Sequence, residues 1–197
     1  MGYMPNTDHD IVRRILEGEQ KAYAELVDRH KDRAMTLAVR MLKNRSDAEE
    51  VLQDSFIRAF RALPAFEWKS SFSTWFYRIV FNVCSSRLSG RKNASTISID
   101  DNDEQKRIEI PSEDEAIDLH FEMREFTGIV RQEIEKMDEA YSAILTLFLV
   151  QEMSYEEIVS VTGLPLGTVK NRLFRARTLL CSAVVKHFSE HEYSEKE

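Results

Sequence analysis

The stretch Ser154-Tyr155-Glu156-Glu157-Ile158 leads through Thr162-Gly163-Leu164-Pro165 into Gly167-Thr168-Val169-Lys170-Asn171-Arg172-Leu173-Phe174-Arg175-Ala176-Arg177. Ser154 and Glu157 stand three apart before an apolar run, the spacing at which a hydroxyl and a carboxylate satisfy each other's helix-terminal N–H groups. A short helix to Val161, a tight turn around Gly163 and a final helix opening near Gly167 follow from this. Helix, glycine-containing turn and helix make the helix-turn-helix plan. On the final helix, Val169, Leu173, Ala176, Leu180 and Val184 share one face, which must pack on the domain. Lys170, Asn171, Arg172, Arg175 and Thr178 lie on the remaining arc with Arg177 at its border, and Phe174 projects about 120° from the centre of the apolar face. One reading is a solvated basic face with a stray aromatic. The other is a DNA-reading face, with Arg175 on guanine N7 and O6, Phe174 against a thymine methyl or a sugar, and Lys170 and Arg172 on phosphates.

Working upstream, Ala140 to Glu152 is apolar on nearly all sides and belongs at the centre of a C-terminal domain. A capping box at Ser112 and Glu115 opens the helix before it, which runs to about Met137. Residues 93–111 are polar and aperiodic, carry Asp100, Asp101, Asp103 and Glu104, and read as a solvated linker. Before the linker, a short helix around Ile11 and Ile15 is followed, past Gly18, by a long amphipathic helix from Glu19 to Lys43. Ser46 and Glu49 form a further capping box, starting a helix to about Leu63 whose apolar stripe is Val51, Leu52, Phe56, Ala59, Phe60 and Leu63. Glu50, Gln53 and Asp54 lie off that stripe. Pro64 stops the helix. A loop with Phe66 and Trp68 follows, and Ser71 or Ser73 caps a helix through Leu88, closed by Gly90. The expectation is an all-α protein of two small helical domains, 8–92 and 112–188, joined by an acidic flexible linker at 93–111.

Composition agrees, since 6 Gly and 4 Pro in 197 residues leave few turns for an all-β chain. The net charge of −7 counts against nucleic-acid binding only if it is evenly spread. Residues 1–92 hold 16 basic against 12 acidic side chains, residues 93–119 hold 2 against 9, and the remainder 9 against 13, so acidity is concentrated at the linker. Two cysteines, Cys84 and Cys181, suit a reducing cytosol, and both are expected to be buried thiols. The N-terminus lacks the apolar core of a secretion signal, and Ala140 to Val150 is too short to span a bilayer. A cytoplasmic protein with no direct membrane insertion is expected. The chain has no glycine-rich phosphate loop, no spaced Cys/His set and no nucleophile elbow, so neither an enzyme nor a cofactor is expected. His187 and His191, four apart in a polar tail, are the weak exception.

The segment Met153 to Ile158 followed by Gly167 to Arg177 resembles region four of bacterial RNA polymerase sigma factors. Asp47-Ala48-Glu49-Glu50-Val51-Leu52-Gln53-Asp54-Ser55-Phe56-Ile57-Arg58-Ala59-Phe60 and Phe72-Ser73-Thr74-Trp75-Phe76-Tyr77-Arg78-Ile79 resemble region two. Having only these two regions is similar to the extracytoplasmic-function (ECF) group. The resemblance implies recognition of the minus-thirty-five element by region four, through Thr168, Lys170, Asn171, Arg172, Phe174 and Arg175. It implies minus-ten recognition and melting by region two, with a flipped base captured in the loop before the Trp75 helix, where Phe66, Trp68 and Asn82 are the candidates. Phe66 as plain core is the alternative. Glu50, Gln53 and Asp54 become candidates for binding the core polymerase clamp. The implied partners are RNA polymerase core enzyme, promoter DNA and an anti-sigma factor. The loop departs from the family's common Phe-Arg-Gly-Glu-Ser, because this chain has Phe66-Glu67-Trp68-Lys69-Ser70. The competing function is a helix-turn-helix regulator with a helical sensing domain, which leaves the aromatic loop without a role.

Overall fold

The computed structural model describes residues 7–94 and 121–194, with side chains over 7–91 and 126–188. These residues form eight α-helices and no strand: α1 Asp8–Leu16, α2 Tyr23–Leu42, α3 Arg45–Ala62, α4 Phe72–Ala94, α5 Phe121–Lys136, α6 Glu139–Leu149, α7 Tyr155–Thr162 and α8 Leu166–Ser194. The all-α expectation holds. The Ser112–Glu115 capping box and the linker beyond Ala94 lie outside the described residues.

Helix boundaries follow local chemistry, with two corrections. Lys43 ends α2 in the left-handed region (φ 51°), which swings Asn44 into extended geometry (φ −143°, ψ 121°). Asn44, not Ser46, therefore caps α3, its side chain accepting a hydrogen bond from the Asp47 N–H at 3.0 Å. At the start of α4 the cap is Ser71, whose Oγ accepts from the Thr74 N–H at 3.1 Å. The same helix does not stop at Gly90 but continues to Ala94. A mid-helix glycine costs only about 1 kcal/mol. Arg87, bonded to Asp47 at 2.7 Å and Glu50 at 2.8 Å, and Arg91, paired with Asp47, tie the flanking turns to α3.

The N-terminal core is built from Ile11, Val12 and Ile15 of α1, Leu26, Leu37 and Ala38 of α2, Val51 and Phe56 of α3, and Phe76 and Val80 of α4, all buried. Full burial of such a side chain stabilises by roughly 1.5–3 kcal/mol each. The aromatics concentrate at one end, where Phe76 stacks on Phe56 at 4.6 Å and on Phe72 at 5.9 Å. Phe60, expected on the buried stripe of α3, is partly exposed and rests edge-on against Tyr23.

Within α6, Ser142 to Leu147 are all buried. This helix packs on α8 of its own domain and also on α2 of the N-terminal domain, which explains why it is apolar all round. The second interdomain seam joins α4 to α7. Polar contacts stitch both seams. The Arg40 guanidinium, only 5% exposed, donates to Thr146 Oγ1 at 2.8 Å, Thr74 Oγ1 donates to Glu157 Oε1 at 2.9 Å, and Gln151 Nε2 donates to the Arg33 carbonyl at 3.0 Å. Cys84 is buried as expected, and desolvation raises its thiol pKa to about 12. Cys181 is exposed, because it lies about 100° around α8 from Leu180, outside the face that Leu180 and the buried Val184 share.

Candidate nucleic-acid interface

The helix-turn-helix forms from α7 and α8. Ser154 and Glu157 make the anticipated capping box, and Gly163 ends α7 with φ 72°, its N–H bonded to the Val159 carbonyl at 2.8 Å. That left-handed turn suits glycine because no Cβ is present to clash. Val169, Leu173 and Ala176 of α8 are buried against the domain, as their spacing implied. Lys170 and Asn171 are exposed, Thr168, Arg172 and Arg175 half-buried, and Phe174 is 65% exposed. These six residues occupy one outward arc. Arg177, next along, turns away to place its guanidinium 4.4 Å from the centre of the Phe148 ring.

The second candidate region is the loop between α3 and α4. Leu63–Ala65 make one 3-10 turn, after which the chain extends to Ser71. Phe66 is only 7% exposed and is packed among Trp68 at 4.8 Å, Trp75 at 5.1 Å and Phe72 at 6.3 Å. Its face is thus covered by the aromatic core in this conformation. Trp68 is the open aromatic of the loop, 41% exposed. It also has φ 59°, a conformation that a bulky residue adopts at a cost of roughly 1–2 kcal/mol. Asn82 is exposed on α4, two turns beyond Trp75.

Beside this loop lies a cleft of about 630 Å³, lined by the Trp68 ring, Ser70 and Ser71, by Thr7, Asp8 and His9 at the start of α1, and by Arg29 of α2. Asp8 holds α1 in place, accepting from Arg29 Nη1 at 2.8 Å and bonding His30 Nε2 at 2.8 Å. His30 is buried beneath Phe72 and Phe76. Burial alone raises the Asp8 pKa, but the bonds and charges of His30 and Arg29 outweigh it, and the carboxyl lies below its ordinary range.

The polar face of α3 is the third region. Glu50 and Gln53 are exposed and line a groove with Val27, Lys31 and Met35 of α2, whereas Asp54 is half-buried and does not line it. Glu50 is shared with Arg87 and Asp54 pairs with Arg58 at 2.8 Å. Among the described residues no cluster of His, Cys, Asp or Glu could hold a metal ion, and no helix is long and apolar enough to cross a membrane. His187 is half-buried, while His191 has no described side chain.

Sequence reasoning did not single out His9, whose ring is tilted against Trp68 with centres 4.3 Å apart, nor the contact of Thr74 with Glu157 across the domain seam. His9 carries no periodic or spacing signal. The shape of the loop did carry one, because Trp68 stands where the family pattern has glycine and adopts a backbone angle that glycine favours.

Residues 26–94 match the family model for sigma-70 region 2, and residues 127–180 match that for sigma-70 region 4. The ECF RNA polymerase sigma-E factor of Salmonella typhimurium is 35% identical over 184 residues, covering 90% of this chain and 94% of that protein. Among solved structures, CnrH in complex with the cytosolic domain of CnrY superposes with a TM-score of 0.61 at 23% identity, covering 91% of this chain and 97% of the other. The sigma factor RpoE of Bartonella quintana, in complex with the anti-sigma factor NepR, gives 0.60 at 19% identity over 83% and 97%. A region 2 match over α2 to α4 gives the N-terminal half the identity that a sensing domain would lack. With both regions in order and a relative aligned along nearly its whole length, the chain belongs to the ECF group of RNA polymerase sigma factors and directs promoter-specific transcription initiation.

Proposed function

We propose that the two domains divide promoter recognition between duplex reading and base capture. Thr168, Lys170, Asn171, Arg172, Phe174 and Arg175 enter the major groove of the minus-thirty-five element. Arg175 reads guanine, Phe174 packs against a thymine methyl or a sugar, and Lys170 and Arg172 neutralise phosphates. The loop from Pro64 to Phe72 receives a base that has left the minus-ten stack, with Asn82 reading its edge from α4. Trp68 is the stacking surface there, and Phe66 seats it from below. Glu50, Gln53 and Asp54 on α3 dock on the core polymerase clamp.

The observation that carries this reading is the outward arc of α8, where an aromatic that is 65% exposed stands among basic and amide side chains. Phe174 is the most exposed large hydrophobic side chain among the described residues. The protein supplies no bond-making step of its own, since RNA is made by the polymerase it programmes, and it works in the cytoplasm. By likeness to the Bartonella quintana complex, an anti-sigma factor holds it in reserve. The mild net charge fits, because a free sigma factor that bound DNA tightly would be titrated by nonspecific sites.

Transcription from a genomic promoter library by core polymerase plus this protein tests the whole reading and should yield a defined set of starts with shared upstream elements. Asp54→Arg combined with Gln53→Arg should abolish copurification with core polymerase while leaving the circular dichroism spectrum unchanged. Both side chains lie outside the buried stripe of α3. Unchanged copurification would move the interface off this face.

A further inference from the structure

Helix α1 precedes the stretch matched by the region 2 family model, which begins at residue 26. Its first turn is nevertheless fixed to the base-capturing end of the domain with unusual firmness. Thr7 and Asp10 cap each other, with Thr7 Oγ1 donating to Asp10 Oδ2 at 2.6 Å. The next residue, Asp8, is bonded both to Arg29 and to the buried His30. The capping box is internal to α1 and Asp8 ties the helix to α2; His9, next to Asp8, is exposed and its ring is tilted against the Trp68 indole with centres 4.3 Å apart. Both residues line the cleft beside the loop and so form part of its wall.

Two features make this wall a site rather than a chance contact. Trp68 keeps a left-handed backbone although nothing in its side chain favours one, and such strain persists where the surroundings over-determine it, commonly at a binding site. The cleft is also of a size that accepts a small ligand, at about 630 Å³, and its lining combines His9, Trp68 and Phe72 with hydroxyl-bearing residues and with Asp8 and Arg29. A nucleobase is the ligand this combination suits. It stacks on an aromatic plane without regard to sequence, whereas an imidazole offers both a donor and an acceptor in the plane of its ring and so distinguishes base edges.

We propose that His9 is a specificity-determining residue for the unstacked minus-ten base, so that α1 and the Trp68 loop together form the pocket. This rests on the reading of the loop as a base-capturing element. Trp68 supplies stacking, which any base satisfies, and His9 adds discrimination among bases to that of Asn82. The two contributions are separable because they come from different elements.

The test uses holoenzyme reconstituted from the full chain and core polymerase. The template is a fork duplex through the minus-thirty-five element with a single-stranded nontemplate minus-ten segment. Each minus-ten position is replaced in turn by all four bases and by an abasic site. Wild type should show one position at which the abasic substitution weakens binding about five- to a hundredfold, the range expected for one lost stack. Trp68→Ala should remove that penalty. His9→Ala should keep the abasic penalty but compress the ranking of the four bases at that position alone to what Asn82 still reads, and His9→Gln, which retains hydrogen bonding without the ring, should restore part of the ranking. If no position shows an abasic penalty in wild type, base capture by the loop fails and the role of His9 falls with it. If the penalty is present and His9→Ala ranks the four bases as wild type does, base capture stands and the role of His9 is overturned. His9 is exposed, so its substitution leaves the core intact.

Discussion

The arc of α8 and the loop before α4 are both proposed to contact DNA, yet they are built in opposite ways. The α8 surface is convex, regular and preformed: one buried stripe fixes the helix, and the reading side chains project from the other side. Duplex DNA presents its base edges in a groove shaped for such a helix, so little else is needed. The loop is concave and irregular, its open aromatic is strained, and its neighbours come from α1, α2 and α4. A base outside the stack has no groove to define it, so the protein must supply the walls. The outcome is that the duplex reader depends on a few surface side chains, whereas the base receiver depends on buried ones as well.

The largest effect that separates the two is on stability. Phe66→Ala should cost about 3 kcal/mol of unfolding free energy in urea denaturation, because it empties a site packed on three other rings. A loss below about 1 kcal/mol would mean that Phe66 is not the seat of Trp68. On the other surface Arg175→Ala should cost less stability than Phe66→Ala, because Arg175 is half-buried on a helix face and Phe66 is packed among three rings. Arg175→Ala should cost about 1–3 kcal/mol in holoenzyme binding and relax the preference at one minus-thirty-five base pair. Lys170→Ala should instead weaken binding evenly across sequences and reduce the salt slope by about 1. Indistinguishable footprints for Arg175→Ala and wild type would show that the wrong face of α8 was assigned.

A smaller effect probes the seam that joins the two regions. The backbone N–H of Ser154 holds the Glu157 carboxyl below the ordinary glutamate range, helped by the hydroxyls of Thr74 and Ser154 against a modest cost of burial. A carboxyl whose folded pKa is depressed contributes stability above its unfolded value, and that contribution is lost as pH falls through the folded value. Acid titration of Glu157→Gln should therefore show a shallower loss of stability below about pH 4.5 than wild type. Parallel curves would show that this carboxylate carries neither the cap nor the contact to Thr74.

The same contrast explains what the sequence disclosed. The α8 face was legible because Val169, Leu173, Ala176 and Val184 keep a strict helical period, and the Ser154–Glu157 box marks where α7 begins. Both are local signals. The cap of α3 was misplaced by two residues because Asn44 and Ser46 have equal capping chemistry, and only the left-handed Lys43 decides between them. Helix α6 was correctly read as central, but its apolar circumference also reflects α2 of the other domain, a nonlocal fact. The loop was the least legible. Its aromatics were visible, but which was buried and which open depended on Trp75 and Phe72 filling the space around Phe66, and the approach of His9 has no trace in spacing.

The division between duplex reading and base capture is tested most directly by permanganate reactivity and abortive RNA synthesis with Trp68→Ala holoenzyme, on fully duplex and on premelted promoter. Removal of a stack worth roughly 1–3 kcal/mol should leave initial promoter capture unchanged and lower the open-complex population on duplex DNA about five- to a hundredfold, with much of the loss recovered on the premelted template. Equal open-complex formation by Trp68→Ala and wild type on duplex DNA would contradict the division.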